Sequence, residues 1–442
     1  MPGGLLTDLY ELNMAASYIR RHMAGPATFS LFVRRLPPTR GFLVAAGIED
    51  SLRWLEGFGF EEADLDYLVG LGFDRRSVDA FAGMRFDGDV RAVPEGRIIT
   101  ANEPILEVSG PIATAQLVET YLLNQISFQT TLATKAARCR IAAAGRMDLV
   151  DFGFRRTHGI EAGLAAARLS ALVGFSATSN VEAAHRFGLV PAGTMAHSYV
   201  EAFPSELEAF TAFAEDLPQR TTFLVDTYDN RRGVLHAIEV IRRLHLERNS
   251  GIRLDSGDLA ELAFEARSLL DEAGLPGVRI FVSGSLDERD LARLVAAGAP
   301  VDAAGVGTRM GVSADAPYLD SAYKLVAYGE HPVAKLSTAK ATLPGAKQVF
   351  RGPGLDDRIG LRDEQLPAGT TPLLEPVMRE GKRLDAPGSW RAGRERFEAD
   401  LAELPDRARD LDRPQPLVAG LTPSLQELTA RVVGALEAGR RP

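Results

Sequence analysis

The residue whose chemistry stands out first is His197. It lies in Ala192-Gly193-Thr194-Met195-Ala196-His197-Ser198, where a glycine turn frees the backbone and an imidazole can point into a cleft as nucleophile or acid/base. The same spacing also suits a histidine that merely opens a helix. Further on, Arg253-Leu254-Asp255-Ser256-Gly257-Asp258 sets one guanidinium and two carboxylates close together. Carboxylates so placed can hydrogen-bond sugar hydroxyls or hold water-coordinated Mg²⁺, which makes Asp255 and Asp258 the candidate metal ligands. Asp258 is equally well placed to cap a following helix. The turn Gly305-Val306-Gly307-Thr308-Arg309-Met310-Gly311 can wrap backbone N–H groups around a phosphate, because glycine allows close approach and the backbone angles of an anion nest. It lacks the spacing of a Walker loop or a dinucleotide fingerprint, and a tight turn without a ligand satisfies it as well.

These residues need a frame, and the sequence supplies a repeating one. From about Asp148 short apolar runs recur, each followed by a polar or glycine turn and an amphipathic stretch, the pattern of βα units. The runs are LVDFG, LVGFSAT, LVPAGT, TFLVDT, IRLDSGD, RIFVSG and VDAAGVGT, ending at Gly153, Thr178, Thr194, Thr227, Asp258, Gly284 and Thr308. Helices are expected between them, the one in LDERDLARLVAAG opened by Ser285 and Glu288 as a capping box. His185 and His245 fall on such helices. Seven units predict an irregular or incomplete (β/α) TIM-like barrel, with an open doubly wound sheet as the alternative. In a barrel the carboxyl ends of the strands share one rim. That rim would carry Arg155, Arg156 and His158, Thr178, Ser179 and Asn180, Thr194 and His197, Asp226 and Asp229, Arg253, Asp255 and Asp258, Ser283 and Gly284, and Gly305, Gly307 and Thr308. Polar residues follow strands for solvation alone. Taken together, the arginines, carboxylates and glycine turns suit a ligand with phosphates, a divalent cation and hydroxyl groups.

The flanking segments differ in character. ATFSLFVRRLP and DGDVRAVPEGRIITANEPILEVSG read as a small antiparallel sheet, and the chain after Tyr323 resumes with YKLVAYGEHPVAKLST and closes with the amphipathic SLQELTARVVGALEAG. The predicted division is an N-terminal α/β domain over 1–140, completed by 330–442, and a barrel domain over 141–329.

Composition narrows the partners. A net charge of −9 gives the whole molecule no long-range attraction to nucleic acid or to an anionic membrane, so an anionic ligand must be held by local groups. Cys139 is the sole cysteine, which excludes an intrachain disulfide and a cysteine-based zinc site and fits a reducing compartment. The opening MPGGLLTDLYELNM lacks the features of a secretory leader, and no stretch approaches the roughly 20 apolar residues of a membrane span. A soluble cytoplasmic protein is expected.

At this point the residues resemble a known family. Thr7-Asp8-Leu9-Tyr10 with Met14, Phe152-Gly153-Phe154-Arg155-Arg156 with His158-Gly159, Thr178-Ser179-Asn180, Gly193-Thr194-Met195-Ala196-His197-Ser198, Arg253 to Asp258, and Gly305-Val306-Gly307-Thr308 match nicotinate phosphoribosyltransferases in order, over nearly the whole chain. Lys335-Leu336-Ser337 and the region from Lys340 to Lys347 are also similar. The resemblance implies an N-terminal layer completed by the C-terminal part, an irregular barrel, and a homodimer with shared active sites in which Tyr10 reaches the partner's site. It implies nicotinate, phosphoribosyl diphosphate and ATP as substrates, with Mg²⁺ as cofactor. His197 becomes a transient phosphohistidine with Asp255 as its catalytic companion. Tyr10, Thr194 and Arg253 contact nicotinate, Thr308 the phosphoribosyl diphosphate, and Phe154, Arg156, Ser179, Ser283, Gly284, Gly305 and Gly307 complete the substrate site. Similar enzymes that use nicotinamide carry an acid where this chain has Ser179, and a carboxylate there would repel an ionised acid. Two departures stand out: Phe42 replaces an expected tyrosine after Arg34-Arg35-Leu36-Pro37-Pro38, and Cys139 alone cannot build the cysteine-rich zinc element of some relatives.

Other readings remain open. A nicotinamide or quinolinate phosphoribosyltransferase would share the frame, and a silent phosphoribosyl-binding protein would keep the pocket without turnover. A barrel aldolase would want a reactive lysine at a strand end, where this chain has none.

Overall fold

The computed structural model describes residues 3–336, 342–386 and 388–439. It divides into two compact units, one made of Met1–Thr134 and Tyr318–Pro442, the other of Lys135–Pro317. Among the described residues no helix is long and apolar enough to cross a membrane.

The second unit is built on a parallel six-stranded sheet. Its strands, in spatial order, are Ala177–Thr178, Asp148–Asp151, Ala303–Val306, Arg279–Val282, Ser250–Leu254 and Thr221–Leu224. Leu149, Ile252, Leu254, Ile280, Val282, Ala304 and Val306 are buried, as expected of a sheet covered by helices. Neighbours in the sheet are neighbours in sequence, and the first and last units meet where Asp148–Asp151 pairs with Ala303–Val306. This is the cyclic order of a barrel opened at one seam, a half-barrel, and it excludes the doubly wound alternative.

The seam explains why six strands stand where seven runs were expected. The run LVPAGT forms no strand and leaves only an isolated bridge between Pro191 and Thr178. Pro191 has no N–H to give a ladder, so pairing stops there. The barrel therefore lies open between Ala177–Thr178 and Thr221–Leu224.

Helices follow the strands, and polar residues at the strand ends start them. Asn180 caps Val181–Phe187 through Ala183 N–H at 3.0 Å, Asp229 caps Asn230–Leu244 through Arg232 N–H at 2.8 Å, and Asp258 caps Leu259–Glu272 through Ala260 and Glu261 at 3.1 and 3.2 Å. The helix Glu288–Ala296 is opened by Asp287 and Asp290, in place of the expected Ser285 and Glu288. Ser285 sits in the left-handed region at φ 57°, and Glu288 is buried, ion-paired with Lys135 and with Arg138 at 3.1 Å. His245 ends its helix in a left-handed cap.

The first unit carries an antiparallel seven-stranded sheet in which the chain's two ends interleave: His331–Pro332, Ser321–Tyr328, Pro26–Val33, Pro104–Pro111, Asp89–Ala92, Glu375–Arg379 and Lys382–Arg383. Phe29 stacks on Tyr323 across the pairing of Pro26–Val33 with Ser321–Tyr328, with ring centroids 4.8 Å apart. A four-stranded sheet adds Thr371–Pro372, Lys347–Gly352, Asp356–Leu361 and Gly420–Leu421. The stretch 352–416, to which the sequence assigns no role, thus supplies strands and the helix Trp390–Glu403.

Buried charge ties these pieces together. Arg351 donates to Asp357 at 3.0 and 2.7 Å and to Asp400 at 2.7 Å, and Asp400 also accepts from Arg97 at 2.7 Å and from Ile98 N–H at 2.8 Å. Glu103 is wholly buried beside them, and burial together with Asp357 holds its carboxyl well above the usual range. Arg351→Ala leaves buried Asp357 without its guanidinium and Asp400 with Arg97 alone, and removing one partner of a buried pair costs about 3–5 kcal/mol. Urea unfolding is expected to show that loss, and a midpoint equal to the parent's would refute the anchoring role.

Candidate functional site

At the carboxyl rim of the half-barrel, three loops converge on the guanidinium of Arg253. The residue leaves strand Ser250–Leu254 with its side chain only 12% exposed. Its Nε donates to Ser283 Oγ at 2.7 Å, Nη1 to Thr194 Oγ1 at 3.0 Å and to Met195 O at 3.4 Å, and Nη2 to Asp255 Oδ1 at 2.6 Å. The ring of Phe152 lies beneath it, 5.6 Å from the guanidinium carbon. Phe152 can sit there because Gly305 faces it: a Cβ at 305 would come within 2.7 Å of the Phe152 ring.

Asp255 is the second member. Burial alone would raise its carboxyl, but the Ser283 hydroxyl, Arg253 and the nearby His197 outweigh it and hold Asp255 below the usual range. Its backbone N–H donates to Asp226 Oδ2 at 3.0 Å, and Ser256 Oγ donates to the same oxygen at 2.8 Å. The other Asp226 oxygen, Oδ1, is buried and without a partner among the described residues. His197 opens the short helix His197–Glu201, half-buried, with Nδ1 3.2 Å from Thr227 Oγ1. One region therefore gathers His197, Thr194, Arg253, Asp255 and Ser283 from the predicted set. It also gathers Phe152 and Thr227, which no side-chain chemistry in the sequence singles out. The signal for Phe152 is indirect, the glycine at 305 that makes room for its ring.

The turn after strand Arg279–Val282 is shaped by close approach. Gly284 has φ 110°, and a Cβ there would stand 2.0 Å from the carbonyl oxygen of Asp255. Ser285 follows at φ 57°, an unusual angle for a side-chain-bearing residue. Gly307 faces Phe152 O less tightly, at 2.7 Å from an added Cβ, and Thr308 is exposed at the start of Thr308–Gly311. Under this layer, buried Asp151 accepts from Thr178 Oγ1 at 2.7 Å and from Gly153 N–H at 2.8 Å, and burial pushes its carboxyl up. Ser179 is half-buried and shares the concave face of the sheet with Thr194, Phe152 and Phe281, along a cavity of about 970 Å³. Phe154, Arg155, Arg156 and His158 are exposed on the loop after Asp148–Asp151.

Of the two candidate metal carboxylates, Asp258 spends Oδ1 on its helix cap. Among the described residues no group of three or more His, Cys, Asp or Glu side chains is arranged to hold a metal ion by itself.

Tyr10 belongs to the first unit, and so do Phe42 and Lys347. Phe42 is fully buried. Lys347 is buried too, ion-paired with Glu107 at 3.6 Å. Ser337 and Lys340 lie outside the described residues. Tyr10 is 48% exposed near the start of Leu9–Arg20, beside exposed Leu6 and Leu9. Burial of its hydroxyl and the carboxylates of Glu119, Glu11 and Asp8 push its ionisation upward. Glu11 is buried, accepting from Thr7 and from Thr120 Oγ1 at 3.0 Å, and burial raises its carboxyl to about 7 against these hydrogen bonds.

Comparison with known proteins adds three findings. Residues 5–127 match the family described as nicotinate phosphoribosyltransferase (NAPRTase) N-terminal domain, and residues 147–310 match the nicotinate phosphoribosyltransferase (NAPRTase) family. The chain is 48% identical over 423 residues to nicotinate phosphoribosyltransferase pncB2 of Mycobacterium tuberculosis, covering 93% of this chain and 89% of that protein. It is 42% identical over 378 residues to the nicotinate phosphoribosyltransferase of Bacillus subtilis, covering 82% and 77%. Among solved structures, human nicotinic acid phosphoribosyltransferase superposes with a TM-score of 0.86 at 30% identity, covering 96% of this chain and 99% of that one.

The raised Glu11 carboxyl has a consequence for stability. A folded value near 7 against an ordinary 4.5 means that the folded chain binds the extra proton between those limits. That contribution is complete at low pH and is lost as pH rises through about 7. Glu11→Gln is expected to narrow the fall in thermal midpoint between pH 5 and pH 8, and an unchanged fall in the variant refutes the assignment.

Proposed function

The chain belongs to the nicotinate phosphoribosyltransferase family, and from that premise we propose how its residues make nicotinate mononucleotide from nicotinate and 5-phosphoribosyl 1-diphosphate, a step in NAD synthesis. The half-barrel is read as an irregular phosphoribosyltransferase barrel, with 1–140 and 330–442 as the additional α+β domain. The observation that carries the site assignment is the grip on Arg253.

A guanidinium has five N–H donors, and Ser283, Thr194, Met195 and Asp255 engage at most four of them. One Nη2 hydrogen and the long Met195 contact remain for a carboxylate, which supports the reading that the acid group of nicotinate sits on Arg253 beside the Thr194 hydroxyl. The pyridine ring then stacks with Tyr10 of a second copy. The exposed Leu6, Leu9 and Tyr10 support that homodimer with shared active sites. The glycine turns at Ser283-Gly284 and at Gly305, Gly307 and Thr308 receive the phosphates, and Phe154 and Arg156 close the substrate site from the exposed loop.

In the chemical step the C1–oxygen bond to diphosphate breaks with its electrons leaving on diphosphate, and the ring nitrogen of nicotinate donates its pair to C1. Asp255, kept ionised by Ser283, Arg253 and His197, supplies negative charge facing the developing oxocarbenium. Mg²⁺, when bound, would neutralise charge on the departing diphosphate. Asp255 and the Asp226 oxygen that has no partner among the described residues fit an ion brought in by substrate phosphates, which needs only one or two protein carboxylates. His197, with Nδ1 turned to Thr227, takes the terminal phosphoryl group of ATP at its other nitrogen as ADP leaves, and water later removes that group as phosphate. The reaction is assigned to the cytoplasm.

Product analysis with nicotinate, phosphoribosyl diphosphate and Mg²⁺, with and without ATP, tests these roles. His197→Ala is expected to abolish ATP stimulation while leaving slow ATP-independent synthesis, and full stimulation in the variant would remove the phosphohistidine. Ser179→Asp is expected to move the ratio of kcat/KM values at least tenfold towards nicotinamide. An unchanged ratio would show that position 179 does not choose the ring substituent.

A further inference from the structure

The parallel sheet carries a second polar cavity at its opposite end. It encloses about 290 Å³ and is walled by Arg140, Gly145, Arg146, Asp148, Gly174 and Asp302 among its lining residues. Asp148 begins the strand Asp148–Asp151, and Asp302 immediately precedes the paired strand Ala303–Val306. His197, Arg253 and Asp255 belong to the carboxyl rim. Four residues of strand, at about 3.3 Å each, separate the two ends by roughly 13 Å.

The charges around this cavity are unevenly satisfied. Asp148 is ion-paired with Arg279 at 2.7 Å, and Asp302 Oδ2 accepts the Ile280 N–H at 2.7 Å. Arg140 and Arg146 line the same space, and neither has a hydrogen-bond or ion-pair partner among the described residues. Arg140 is half-buried, and its placement is built in: Gly174, at φ 109°, makes room for it, since a Cβ there would stand 2.9 Å from Arg140 Nε. Arg146 is delivered by a turn whose two preceding residues, Ala144 and Gly145, both have positive φ. Counting Arg279, the five charged groups at the cavity leave one net positive charge in a molecule whose total is −9. Two guanidiniums are thus held at a polar hollow beside carboxylates already engaged elsewhere.

We propose that this cavity binds a phosphate-bearing small molecule, clamped between the guanidiniums of Arg140 and Arg146, at a site separate from the one that performs the reaction. The planar donor fork of arginine matches phosphate oxygens in pairs, and two such groups neutralise a phosphate dianion. The hollow lies at the lower edge of the size range of small-molecule pockets, which fits a phosphate with a small organic group and excludes a dinucleotide.

Amide hydrogen exchange of the full chain, titrated with inorganic phosphate against potassium chloride at matched ionic strength, reads this site apart from the catalytic rim. Saturable protection is expected in 140–149. Arg146→Gln, an exposed substitution that leaves the fold and the synthesis of nicotinate mononucleotide unchanged, is expected to weaken it at least tenfold, and Arg140→Gln likewise. Absence of protection in 140–149, equal protection by chloride, or an unaltered affinity in Arg146→Gln overturns the proposal. Protection confined to 305–311 would report the catalytic rim alone and also overturns it.

Discussion

A guanidinium held on one side by its own protein presents its remaining hydrogens in a fixed direction, and at the rim of this half-barrel everything else is arranged around that fact. Arg253 touches Thr194, Ser283 and Asp255, which come from three different loops. Fixing one side chain therefore fixes the mutual positions of three segments that are far apart in sequence. The arrangement needs Gly305 opposite Phe152 and Gly284 against the Asp255 carbonyl, because any side chain at either position would push the partners aside. The cost of holding polar groups so closely is offset by mutual hydrogen bonding, which keeps Asp255 ionised despite its burial.

The same loops do structural and chemical work with different residues. Asp229, Asp258 and Asp287 spend carboxylate oxygens on helix starts, whereas Asp226 and Asp255 turn towards the cluster. Position relative to the helix decides the division. A carboxylate directly before the first turn meets free backbone N–H groups, while one nearer the strand end meets the side chains of neighbouring loops. The open seam at Pro191 belongs to the same picture. Losing one strand leaves the concave face accessible beside Ser179 and Thr194.

In the first unit, buried ion pairs accompany a continuous apolar core that includes Leu12, Phe29, Leu106, Leu122, Val349 and Leu425. Glu107 accepts from Ser30, from the Lys347 backbone N–H on both of its carboxylate oxygens and from Arg362, while Arg351 joins Asp357 and Asp400. Each network joins residues from before position 110 to residues after position 340. Apolar packing such as Phe29 on Tyr323 brings these segments together, and the ionic contacts specify their register.

The amino-acid sequence by itself determined the βα repeat, the helices after each strand, the glycine turns, and the family, because these depend on local periodicity and on short motifs. His197, Arg253 and Asp255 were legible for the same reason, each standing in a compact motif, Arg253 and Asp255 at a strand end and His197 after the unpaired run LVPAGT. What the tertiary structure decided is which strands pair and which side chains meet. LVPAGT has the apolar pattern of a strand, yet Pro191 denies it a ladder. Ser285 and Glu288 have the spacing of a capping box, yet a left-handed backbone and a buried ion pair claim them. Phe152 beneath Arg253, the buried Asp226 oxygen that has no partner among the described residues and the gathering of Arg140 and Arg146 beneath the sheet depend on how segments tens to more than a hundred residues apart are packed. Local sequence carries no record of such contacts, since they are fixed only when burial and close packing select one mutual arrangement of the strands.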